Sequence, residues 1–173
     1  MTMTLSHAPA RETGIAASAA VAVLVAGAVA TVAFDLFGQA LSPLAGYAKL
    51  APVGLATGTI KTLFGASTAG AGDLLHYIVG LIGYPLGWLM VARPLARRTV
   101  PAMPTMAVAA AYGVGLWVFA LYVMAHLVVG LPAFLGFTGI TWVALVGHVL
   151  YALAFVAAYG WLREQKGWLP DAR

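Results

Sequence analysis

Four apolar runs, each long enough to cross a hydrocarbon core, decide what this chain can fold into. A core about 30 Å thick needs about 20 helical residues at 1.5 Å each, and the stretches near 14–41, 74–91, 105–130 and 140–162 answer to that length. Lipid offers the backbone no hydrogen-bond partner, and nothing here alternates as the strands of an outer-membrane barrel do, so all four are expected to be helices. Composition agrees: 62% of residues are hydrophobic and 8% charged, whereas a soluble domain carries about 25% charged residues. The mean hydropathy is +0.95. The fold class that follows is an all-α, integral membrane four-helix bundle, one membrane domain over 1–173.

The formal charge of +4 does not point to nucleic acid, because the basic residues sit beside helix ends and form no stripe interleaved with aromatics. They report topology. Arg11 precedes the first span, Arg93, Arg97 and Arg98 lie between the second and third, and Arg163, Lys166 and Arg173 follow the fourth. The positive-inside rule then puts both termini, tails 1–13 and 163–173, and the 2–3 loop in the cytoplasm, leaving Lys49 and Lys61 on the other side. The absence of cysteine excludes disulfides, c-type haem attachment and cysteine-ligated iron–sulfur clusters. Within the first span "AGAVA" offers small residues that resemble a cleavage site, but the apolar run of about twenty residues is longer than a signal-peptide core and is read as a membrane helix.

The two halves resemble each other. "HYIVGLIGYPLGW" in the second span and "HVLYALAFVAAYGW" in the fourth both begin with histidine, close on Gly-Trp and run into basic residues. "SPLAGY" and "LPAFLGF" follow the other two spans. This reads as two tandem helical hairpins related by a pseudo-twofold axis along the membrane normal. The halves differ in the loop 42–73, where "LATGTIKTLFG" suits a short interfacial helix, with Leu55, Ile60, Leu63 and Phe64 dipping into lipid and Lys61 facing water.

Ionisable groups inside a membrane are costly, so each is a functional candidate. Counted at 1.5 Å per residue, Asp73 and His76 lie within about 5 Å of the outer boundary, His126 about 6 Å in, Asp35 about 9 Å in and His148 about 12 Å in. Asp73 suits a helix N-cap. Asp35 needs a partner or a proton, and His148 or His126 is expected to serve. On the second span His76, Gly80, Gly83 and Gly87 fall at i, i+4, i+7 and i+11, so the glycines form a packing seam topped by the histidine. On the fourth, His148, Tyr151, Phe155 and Tyr159 share a face; on the third, Phe119, Tyr122 and His126 do. The expected site is a cluster of His76, His126, His148 and Asp35 lined by Tyr122 and Tyr151.

Three chemistries suit such a cluster. A b-type haem needs two histidines at similar depth on facing helices, which selects His76 and His126. A transition metal could take all three histidines and Asp35. A lipid or quinone site needs only a polar pair and an apolar crevice. No HExxH, HxxxH or phosphate loop is present to select an enzyme activity.

The histidine opening the second span ("HYIVG"), the third span leading to proline ("GLWVFALYVMAHLVVGLP") and "HVLY" in the fourth resemble small four-helix bacterial inner-membrane proteins of unknown function, the YagU-like ones among them. That resemblance implies a bacterial cytoplasmic membrane and supplies no catalytic residues. The reading that results is a non-enzymatic inner-membrane protein, either an accessory or assembly subunit of a larger membrane complex or a binder of a small lipid or quinone, with the bilayer and other subunits or a second copy as partners and no nucleic acid. A haem or metal redox protein is the alternative, and an oligomeric transporter or channel a further one. Topology gives the first test: reporters fused after Arg98 and after Arg173 should report the cytoplasm, and one inserted near Thr57 the opposite side. A C-terminal reporter on the side of Thr57 would reverse the orientation.

Overall fold

The computed structural model describes residues 8–166, with side chains for 18–164. Residues 1–7 and 167–173, Arg173 among them, lie outside that description, as do the side chains of Arg11 and Lys166. Among the described residues there is no strand, and four helices have the length and hydropathy to cross a membrane. The chain is a multi-pass membrane protein with an all-α, four-helix core.

Helix α1 runs from Ala8–Asp35 through a π-helical stretch, Leu36–Leu41, into a final turn, Ser42–Leu44. A short amphipathic helix, α2, follows at Pro52–Phe64. The second span, α3, covers Ala71–Thr99 and contains π-helical stretches at Val79–Gly83 and Trp88–Ala92. The third, α4, covers Thr105–Val128 and is π-helical over Phe119–Val128. The fourth, α5, is a regular helix, Gly139–Lys166.

Proline accounts for three of these π-helical stretches. Pro43, Pro85 and Pro94 each stand two residues beyond the end of one. Proline has no amide hydrogen and its ring collides with the carbonyl four residues back. A wider turn just ahead of it relieves the collision without breaking the span. Consequently α1 continues through Pro43 to Leu44, and α3 is longer at both ends than the apolar run at 74–91 suggests.

Small residues set how closely the helices approach. Ala22, Ala26 and Ala30 lie at four-residue steps on the buried face of α1 with Phe34, and that helix packs along α5. A Cβ added at Gly27 would stand 2.7 Å from the Leu81 carbonyl of α3, and one at Gly113 of α4 would stand 2.5 Å from Cα of Val149 on α5. Without a hydrophobic driving force in lipid, such backbone-to-backbone contact supplies the association energy.

The expected seam on α3 needs correction. Gly80 is buried against the Thr31 side chain of α1, and a Cβ on Gly87 would stand 2.5 Å from the Tyr112 hydroxyl of α4. Gly83 takes no part: its side is exposed, and a Cβ there would meet only Val79 of its own helix, at 3.9 Å. The 3.6-residue period places Gly83 near the seam only if the helix is regular, whereas residues 79–83 are π-helical.

The halves are also packed unequally. Helix α5 lies closely along both α1 and α4, and α3 lies along α1, but α3 and α4 draw together chiefly near the arginine end. Toward the opposite end they part, and α2 bridges the gap. Gly72 of α3 receives the Thr57 side chain, and Gly58 faces Val129 beyond α4, where a Cβ would stand 3.3 Å from it. The expected interfacial helix therefore closes over the bundle. Replacing Gly113 with Ala should cost about 1–3 kcal/mol through overpacking, read as a lowered unfolding midpoint in detergent, whereas Gly83→Ala should leave it near the wild-type value. Equal effects of the two would contradict the packing described.

Candidate ligand cavity

The gap between α3 and α4 forms a half-open cavity of about 740 Å³, within the range of small-molecule pockets. Its roof is the inner face of α2, including Leu55, Thr59 and Ile60. Two π-helical stretches face each other across it, 79–83 contributing Val79 and Gly80 and 119–128 contributing Phe119, Ala120, Leu121, Met124 and Ala125. Helices α1 and α5 form the back wall, with Phe34 from one and His148 and Tyr151 from the other. Nearly all the lining is apolar. No Lys, Arg, Asp or Glu contributes to it.

Asp35 is paired with His76 and not with His148 or His126, the partners expected from the sequence. The His76 Nε2–H donates to Asp35 Oδ1 at 3.0 Å and lies 3.1 Å from Oδ2. Gln39, one turn after Asp35, donates to the same Oδ1 at 2.8 Å. A carboxylate inside a membrane is tolerable when hydrogen bonds replace its water. Asp35 stands behind the histidine and does not line the cavity, while the His76 ring does.

His148 is 5% exposed and occupies the back wall. Its Nδ1 lies 2.7 Å from the Ala144 carbonyl, one turn earlier. A carbonyl can only accept, so Nδ1 carries the proton, and in the neutral ring Nε2 is a bare lone pair. That lone pair has no hydrogen-bond partner among the described residues. The Phe34 ring contacts His148 edge-on at 5.0 Å and His76 at 6.3 Å, so both histidines border one aromatic wall.

Tyr151, 3% exposed, donates its hydroxyl to the Gly80 carbonyl at 2.5 Å. The local backbone explains why that carbonyl is available. The amide of Tyr84 donates to Val79, five residues back, and Pro85 has no amide hydrogen to give. Gly80 therefore loses its helical donor, and a side chain from α5 supplies one. Tyr84 also lines the cavity, 5.5 Å from Tyr151 and 6.2 Å from His148 between ring centroids. Its own carbonyl accepts the Tyr112 hydroxyl at 2.6 Å. Its hydroxyl has no partner among the described residues.

His126 and Tyr122 are not brought into the cavity. Tyr122 is 39% exposed, its ring stacked on Phe134 and beside His126 at 5.4 Å. His126 Nδ1–H donates to the Leu131 carbonyl at 2.8 Å and so fastens the end of α4 to the following turn. The physical reason is again the π-helical backbone of 119–128, which turns these side chains away from the direction that a regular helix gives them. His76 and His126 accordingly do not face each other as a haem pair would, and among the described residues no group of three or more histidine and acidic side chains is placed to hold a metal ion.

The turn that His126 fastens carries backbone strain. Phe134, Leu135 and Phe137 adopt φ values of 50°, 52° and 54°, a left-handed conformation costing about 1–2 kcal/mol per residue outside glycine. Thr141 offsets part of this by donating to the Phe134 carbonyl at 2.5 Å, and the Trp117 indole donates to the Thr141 carbonyl at 3.0 Å. Leu131 and Leu135 reach the cavity from this turn.

Tyr84 is the lining residue that sequence reasoning passed over. Stepping by four from His76 through Gly80 arrives at it, and the signal was masked by following the glycines to Gly83 instead. No family model, curated protein or solved structure matches this chain. Function has to be read from the cavity itself. The Tyr151 hydroxyl provides a test of the geometry. Tyr151→Phe keeps the ring but strands the Gly80 carbonyl, an expected loss of about 1–3 kcal/mol. The same change made alongside Pro85→Ala should cost less, because alanine restores an amide donor. Equal losses in the two backgrounds, measured by unfolding in detergent, would refute this account of the bond.

Proposed function

We propose that this protein is a non-enzymatic binder of a small apolar molecule of the bilayer, held between α3 and α4 beneath α2. The observation that carries this reading is the cavity: a space of about 740 Å³, walled almost wholly by hydrocarbon and aromatic side chains, with His148, His76 and Tyr84 as isolated polar points. A cavity of that kind binds by apolar burial, at about 25 cal/mol per Å² removed from water, and orients by a few polar contacts. In the proposed orientation, Arg93, Arg97, Arg98 and Arg163 face the cytoplasm of a bacterial inner membrane and the cavity lies in the outer leaflet.

The experiment is ligand retention. Protein extracted gently and washed should release a bound lipid-soluble molecule on organic extraction, in defined proportion to protein. Val79→Phe, which places a ring in the cavity, should reduce that proportion at least tenfold. Val91→Phe, on an outward face 61% exposed in the wild type, should not. An equal yield from wild type and Val79→Phe would sink the proposal.

A further inference from the structure

A second question is which apolar molecules the cavity accepts, and the answer lies in the His148 ring. This deepens the ligand-binding reading and rests on it. Two observations fix the chemistry. The His148 Nδ1–H is committed to the Ala144 carbonyl at 2.7 Å, leaving Nε2 able only to accept. The ring is 5% exposed, lines the cavity, and has no partner for Nε2. Nε2 is not sealed in the protein but opens onto an apolar cavity, where only an occupant can supply its donor, so an occupant that donates a hydrogen bond gains affinity there. The nearby Tyr84 hydroxyl is also unpartnered and can donate to the same oxygen.

A formally charged head is disfavoured. No lysine or arginine lines the cavity to neutralise a phosphate or carboxylate, and the one acidic group close by, Asp35, is already paired with His76 and bonded to Gln39. Burying an unpaired ion among hydrocarbon walls is strongly unfavourable. A ketone or ester head carries only acceptors: it can take the Tyr84 hydroxyl but leaves Nε2 without a donor. We infer that the cavity selects a neutral molecule with a hydrocarbon tail and a single hydroxyl group, aliphatic or phenolic, whose O–H donates to His148 Nε2 while Tyr84 holds its oxygen.

The test compares four probes of matched tail in lipid nanodiscs: hexadecanol, its methyl ether, hexadecanoic acid at a pH where it is ionised, and a phenol bearing the same chain. One neutral hydrogen bond corresponds to about a tenfold difference in dissociation constant, so the alcohol should bind about tenfold more tightly than the ether and the acid more weakly than either. The phenol reports whether an aromatic head is admitted. If it matches the alcohol, both kinds of hydroxyl are accepted; if it binds no better than the ether, the phenolic part of the inference is wrong.

His148→Phe is a conservative variant, because the Ala144 carbonyl can still take the amide of residue 148 in the regular helix α5. It should abolish the preference for the alcohol while leaving ether binding near its wild-type value. In wild-type protein carrying nitrogen-15 histidine, the Nε2 resonance of His148 should move on adding the alcohol and stay in place with the ether, a readout that needs no variant. Equal binding of alcohol and ether with an unmoved resonance would overturn this inference and leave the cavity's role as an apolar site intact. If none of the four probes binds, the ligand-binding function itself fails. Tighter binding of the ionised acid would overturn the claim of neutrality.

Discussion

The absent amide hydrogen of Pro85 is the constraint on which the rest of this structure turns. In water an unpaired carbonyl on the preceding turn would be hydrated at little cost, but a membrane span must satisfy its polar groups internally. The widened turn at 79–83 removes the clash with the proline ring and, in doing so, passes the Tyr84 amide to Val79. The Gly80 carbonyl is thereby offered sideways, and the Tyr151 hydroxyl of α5 takes it. Gly80 is at the same place the point where Thr31 of α1 presses against α3. One backbone position thus joins three helices, by lack of a side chain on one side and by a released carbonyl on the other.

Once α3 is held to α1 and α5 in this way, its approach to α4 is restricted. Tyr112 closes the two helices near the arginine end through the Tyr84 carbonyl, and Trp88 packs on the Tyr112 ring at 5.6 Å. Beyond that contact they diverge, and the bundle is completed by α2, whose close contacts at Gly58 and Gly72 let a short helix lie across the opening. The cavity is the space left when two π-helical walls are spanned by a roof instead of being pressed together.

The polar groups of the interior are distributed by how each is satisfied. Asp35 is stabilised by His76 and Gln39, and Thr31 by the Gly27 carbonyl one turn before it. His126 and Thr141 serve the strained connection between α4 and α5. His148 and Tyr84 retain unused capacity, and both border the cavity. In a membrane interior, where each unmet hydrogen bond is expensive, that coincidence gives the cavity its chemical character.

The sequence by itself determined the number and type of the spans, because run length and the lack of charge leave a chain in lipid no alternative to helices. It also determined that Asp35 needs a partner at its own depth, and that the 42–73 loop contains an amphipathic segment. Which partner Asp35 takes, and which residues share a face, belonged to the tertiary structure. Facial assignments from sequence assume 3.6 residues per turn, and they hold for α5, where His148 and Tyr151 do lie together. They fail at Gly83, and on α4 they keep Tyr122 beside His126 but wrongly join that pair to Phe119, which alone of the three lines the cavity; all lie within π-helical stretches. Proline beyond 79–83 signals one such departure, but no residue in 119–128 announces the other. The separation of α3 from α4, the roof made by α2 and the lone pair left open on His148 arise from how whole helices pack, and no local pattern encodes a gap.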